Sequence, residues 1–142
     1  MSINLKQLSD GSAGLEGTDG GLGAFIYVTI PYTTTSPLTI SGAVLTRRCV
    51  VQSITVNPDV SSTNAVTVSA FKAANTVALG AGVALTSAGA VLNGTAGTNV
   101  VGALSAVGGA LDCAALSRVG VVISGALGAA GSGVITIALN PA

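Results

Sequence analysis

The sequence predicts an all-β protein: a single β-sandwich or jelly-roll-like domain of about 7–9 short strands, carried behind an extended N-terminal arm. Three observations predict it. From Phe25 onward, apolar residues recur with a period of two, the spacing that sends alternate side chains to opposite faces of a strand. Clusters of Gly, Pro, Asn, Asp and Ser interrupt these runs about every 8–12 residues. The Ala-rich windows that a helix scale would favour, AFKAAN and GALSAVGGAL, are broken by glycine or flanked by β-branched residues. With 142 residues the chain is one domain, long enough to bury about 68–70% of its unfolded surface without staples.

Residues 1–24 form the arm, and residues 25–142 the sandwich. The arm holds four of the chain's charges (Lys6, Asp10, Glu16, Asp19), six glycines, and isolated leucines at Leu5, Leu8, Leu15 and Leu22. Such a segment buries too little by itself to offset the entropy of ordering it. It is either a loose terminus or an arm whose leucines anchor on a partner surface.

The first strand is AFIYVTIP, with Ile26, Val28 and Ile30 on one face, Phe25, Tyr27 and Thr29 on the other, and Pro31 ending the run. TTTSP is a connector. AVLTRRCVVQSITVNPD reads as one long or bent strand, with Val50, Ile54 and Val56 on one side and Val51, Ser53 and Thr55 on the other. Asn57-Pro58-Asp59 has turn chemistry, because proline presets φ and the flanking side chains bond their own backbone. Ala65–Lys72 alternates again, and Gly80 and Gly82 mark a bulge or tight turn inside a hairpin. Asn93-Gly94 is a strong hairpin signal, since a type I′ turn needs positive φ at both central residues. Leu111–Leu116 admits a helix too short to matter. SRVGVVIS and GVITIAL close the chain, with Ile135, Ile137 and Leu139 on one face.

Charge is scarce. Charged residues make up 7% of the chain, against about a quarter in an average soluble domain. Residues 73–142 carry two, Asp112 and Arg118. Residues 119–142 carry none, but five glycines divide them into strand, turn and strand, and neither Trp nor a flanking cation marks a membrane interface. No membrane partner is expected. Zero net charge argues against nucleic acid, and the opening MSINLKQLSD lacks the charged and apolar regions of a secretory signal.

Catalytic chemistry is equally scarce. The absence of histidine removes Ser-His-Asp and Cys-His nucleophiles and histidine metal sites. Three of the five carboxylates lie in the arm, which leaves Asp59 and Asp112 as the one pair that folding of the body could bring together. No Gly-Lys phosphate loop occurs, and GGLG at Gly20–Gly23 precedes a strand, the wrong order for a dinucleotide site. Cys49 and Cys113 lack a CxxC spacing; they could pair, though two buried thiols more often serve as small hydrophobes. The chain is therefore expected to be neither an enzyme nor a cofactor or small-molecule binder. An uncharged β-protein with no charged edges needs cover, which a closed symmetric oligomer supplies.

The order of segments adds a family. RRCVVQSITVNPD runs into AVTVSAFKAANTVALGAGVALTS, followed by Leu92-Asn93-Gly94-Thr95, GALS and LDCAALSRVGVVISGALGAAGSGVITIALNP. In this order and composition the chain resembles tailed-bacteriophage capsid decoration (cement) proteins. Where similar phage proteins carry Gly-Asp ahead of the strand, it reads Leu116-Ser117-Arg118. The resemblance implies a homotrimeric virion protein, assembled in the host cytoplasm, that sits on the capsid exterior and bridges copies of the major capsid protein. On that basis Leu5, Lys6, Leu8 and Leu15 are the expected capsid contacts. Arg47, Arg48, Lys72 and Arg118 are the expected charges at the interface rim. A tail, baseplate or fibre component, or a host-surface carbohydrate-binding module, is the alternative.

Overall fold

The computed structural model describes residues 25–142. The arm, with its expected contacts Leu5, Lys6, Leu8 and Leu15, lies outside the described residues. The described chain is all-β. Six strands have six or more residues: β1 (Ile26–Thr33), β2 (Thr39–Val44), β3 (Cys49–Val60), β4 (Thr67–Ala73), β11 (Arg118–Ile123) and β12 (Ser132–Pro141). The others are short: β5 (Val83–Ala84), β6 (Thr86–Ala88), β7 (Ala90–Val91), β8 (Val100–Val101), β9 (Ala103–Leu104) and β10 (Asp112–Cys113). The strand total exceeds expectation because these fragments are too brief to leave a period in the sequence. A single 3-10 turn, Leu79–Ala81, precedes β5, and no described helix is long and apolar enough to cross a membrane.

The strands form two antiparallel sheets and a ribbon. The first sheet runs β1-β12-β3-β10, with β8 also on β3; the second runs β2-β11-β4-β5, with β7 also on β4; β6 pairs with β9. Val28, Ile30, Ile54, Val56, Ile135 and Ile137 of the first sheet meet Val68, Ala70, Val119, Val121 and Ile123 of the second in one buried core. Leu85, Leu92 and Leu127 belong to the same core from the connecting segments. Each of the Val, Ile and Leu side chains contributes about 1.5–3 kcal/mol by leaving water.

Four local expectations are corrected. Pro31 does not end β1, which continues to Thr33 with Tyr32 buried; β1 is an edge strand, where a sheet tolerates proline. Residues 43–59 are not one strand. The chain leaves the second sheet after Val44 and enters the first at Cys49, with Leu45 buried at the crossing. Asn57-Pro58-Asp59 is no turn but the end of β3, where the Pro58 carbonyl accepts the Gly97 N–H beyond the last β8 pair at Val56. The core side of β3 also changes. The register jumps from Ala138–Ser53 to Leu139–Val51, so Gln52 is an extra residue, and Val51 rather than Val50 joins Ile54 and Val56 inside.

A hairpin assignment and a helix assignment fail where the chain must reach a strand elsewhere. Asn93-Gly94 lies between β7 of the second sheet and β8 of the first, so it belongs to a crossover and not to a hairpin. The positive φ nearby belongs to Gly97. Leu111–Leu116 holds β10 instead of a helix, because Asp112 and Cys113 pair with Val50 and Cys49. The Gly80–Gly82 turn is where expected, joining β4 to β5.

Candidate functional site

The register sorts charge by position. Residues 25–142 carry Arg47, Arg48, Lys72, Arg118, Asp59 and Asp112. The end of β2, the start of β3, the end of β4, β10 and the start of β11 meet at one end of the sandwich. Every described charge except Asp59 is therefore at that end. Asp59 sits near the far end of β3, so the two carboxylates of the body stand apart. The N-terminus of β1 is at the cationic end too, since Ile26 pairs with Leu139.

Asp112 organises this end. Its carboxylate accepts two hydrogen bonds from Arg48, Nε at 2.7 Å and Nη2 at 2.8 Å, a bidentate pair. Its main-chain carbonyl accepts from Lys72 Nζ, which also donates to the Gly109 carbonyl at 2.9 Å. Arg48 leads into the first sheet and Lys72 belongs to the second, so one residue ties both sheets to the two-residue strand β10. The Arg48 hydrogen bonds hold the Asp112 carboxyl below the ordinary carboxylate range; burial opposes this, and the charges of Arg48 and Lys72 add to it.

Arg118 is also engaged within the chain. It donates to the Val77 carbonyl and, at 3.5 Å, to Ser41 Oγ. Of the four expected rim charges, Arg48, Lys72 and Arg118 thus fasten loops of the same molecule, and Arg47 is exposed. Nothing local announces these pairings, because the partners are main-chain carbonyls or residues 64 positions away.

On the outer face of the first sheet, charge is confined to the ends, Asp59 on β3 and Asp112 on β10, and the middle carries none. Three rows cross it: Tyr27–Ala138–Ser53, Thr29–Thr136–Thr55–Val101, and Pro31–Val134–Asn57. Side chains of Thr, Ser, Asn, Val and Ala dominate, and Val101 at its margin is 69% exposed. The outer face of the second sheet is partly covered by its own chain, with Leu79 of the 3-10 turn buried against Gly120.

Apolar grooves flank the cationic end. One of about 520 Å³ lies between β5–β6 and the segment after β9, lined by Val83, Ala84, Ala106, Val107 and Ala110 among others, with Val107 72% exposed. A second of about 380 Å³ shares Val83 and continues past Ala74, Val77, Ala81 and Ala114. Lys72 is the one titratable residue lining either, and its ammonium is committed to two carbonyls. These surfaces supply contact area rather than acid–base chemistry. No family model, no curated protein and no solved structure matches this chain.

Proposed function

We propose that the chain is a virion structural protein of the decoration or cement kind, a homotrimer that binds the outside of an assembled phage capsid and stabilises it by bridging major capsid subunits. The observation that carries this reading is the set of three uncharged rows across the outer face of the first sheet, four strands wide at the Thr29–Val101 row. A broad strand face without charge invites association, and a closed symmetric oligomer is the arrangement that limits it. In this reading that face and the Val83–Val107 groove make the contacts between protomers, while Leu5, Lys6, Leu8 and Leu15 reach the capsid. Arg47, Arg48, Lys72 and Arg118 stand at the rim, where charge sets register and encounter rate more than affinity.

A protein that binds the assembled shell and not the free subunit raises shell stability by linkage, and three joined copies raise it further by holding one another near their sites. The test is sedimentation of the purified protein with capsids that lack it, alongside its mass in solution by light scattering. Saturable binding by a trimer, with later heat release of the packaged genome, is expected. A monomer, or a trimer that leaves capsids unbound and unprotected, overturns the proposal; binding to tails alone moves the protein to the tail or baseplate.

A further inference from the structure

We infer that Cys49 and Cys113 form a redox latch, a disulfide that fastens β10 and the segment around it to β3. The inference is independent of the capsid reading. The two residues are direct register partners across the antiparallel β3–β10 pair. Paired residues in such a ladder share a face and have Cα atoms about 4.5–5.5 Å apart. A disulfide spans about 4.4–6.8 Å between Cα atoms. Both side chains point into the core and are 0% exposed, and they are the chain's two cysteines, so each has one intramolecular partner.

Both are thiols here. Cys49 Sγ donates to the Arg47 carbonyl at 3.4 Å, and Cys113 Sγ to the Leu111 carbonyl at 3.8 Å. Burial pushes both thiols up, Cys113 to about 11, with the Asp112 charge and the neighbouring Cys49 adding to the rise. Because the thiolate is the attacking species, exchange in the closed protein is slow near neutrality. The latch closes while the chain folds or when β10 opens.

The segment it holds is thinly attached. Between β9 and β11 the chain contributes only the two residues of β10 to a sheet. Its other ties are the exposed Arg48–Asp112 pair, Lys72, buried Ala110 and main-chain bonds from Val51 N–H to the Leu111 carbonyl and between Leu45 and the Leu116–Ser117 turn. That segment also supplies Val107, Ala110 and Ala114 to the apolar grooves. Latching therefore sets how rigid that surface is.

The oxidant is a small-molecule disulfide such as oxidised glutathione. One cysteine thiolate attacks it, forming a mixed disulfide and releasing one glutathione thiolate. The second cysteine then attacks the protein sulfur of that bond and releases the other. The protein loses two protons and two electrons, and the reagent becomes two thiols.

The full chain is unfolded, refolded with oxidised and reduced glutathione, and compared with a sample kept in dithiothreitol. A parallel native sample is held in oxidised glutathione without unfolding. Expected in the oxidised protein are loss of two hydrogens by intact mass, no titratable thiol, and a rise in Tm of about 10 °C from closing a loop of this length. Dithiothreitol reverses all three, and Cys49→Ala shows neither the mass loss nor the shift. Persistent glutathione adducts, disulfide-linked dimers, or an oxidised chain with unchanged or lower Tm overturn the latch.

Discussion

Asp112 shows how a single side chain can carry more structure than its setting suggests. In the sequence it is an isolated acid in an uncharged tract; in the fold it joins Arg48, Lys72 and β10. Period and turn chemistry could not reveal this, because both partners are remote in sequence. Its carboxyl sits below its ordinary value of 3.8. A lowered carboxylate contributes stability fully above that ordinary value and loses it as pH falls through the folded value. Asp112→Asn is therefore expected to lower Tm at neutral pH and to flatten the acid limb of the Tm–pH profile. Melts from neutrality to strong acid check it, and parallel curves for the two proteins would show that the pair contributes nothing to folding. The candidate site was legible at this scale only as a list of cations, and three of the four turned out to bind their own chain.

At the scale of elements, long periodic strands were readable and junctions were not. β1, β4 and the first half of β12 follow their alternation because one face is buried and the other is more open, whereas β11 is buried on both sides around Gly120 and reads as a near-continuous apolar run. The bulge at Gln52 and the sheet change after Val44 have no such signature; pairing with β12 and β11 decides them. Asn57-Pro58-Asp59 and Asn93-Gly94 are local turn formers overruled by where the next strand must go. Gly120 is the converse case, a glycine whose reason appears only in the packing. A Cβ there would meet the Ile40 carbonyl oxygen, Leu79 Cδ2 at 2.6 Å and Ser41 Cα at 3.0 Å. Two of these three are backbone atoms that cannot rotate away. Gly120→Ala is expected to cost about 1–3 kcal/mol by disturbing β2 and lifting the 3-10 turn, whereas Gly108→Ala, with nothing within 4 Å of its Cβ, changes stability little. Urea denaturation of both measures the difference, and equal midpoints would mean that β2 yields freely.

For the whole molecule, the decisive property is the separation of charge from area. Described charges gather at one end apart from Asp59, and the broad outer face of the first sheet carries none in its three rows. Contacts made by such a face respond weakly to ionic strength, since there is little charge to screen. Thr55 stands in the middle row, between Thr136 and Val101, with its side chain on the outer face and away from the core. Thr55→Lys would bring like charges together wherever symmetric copies meet through this face, and would cost an isolated fold little. The expected result is a trimer insensitive to salt in the parent protein and a folded monomer in the variant, followed by light scattering with circular dichroism as the control for folding. Val107→Lys, made in the groove beside the cationic end, is the comparison. A trimer that survives Thr55→Lys and falls apart with Val107→Lys would move the contact from the sheet face to the groove. One that survives both would detach the uncharged face from assembly altogether.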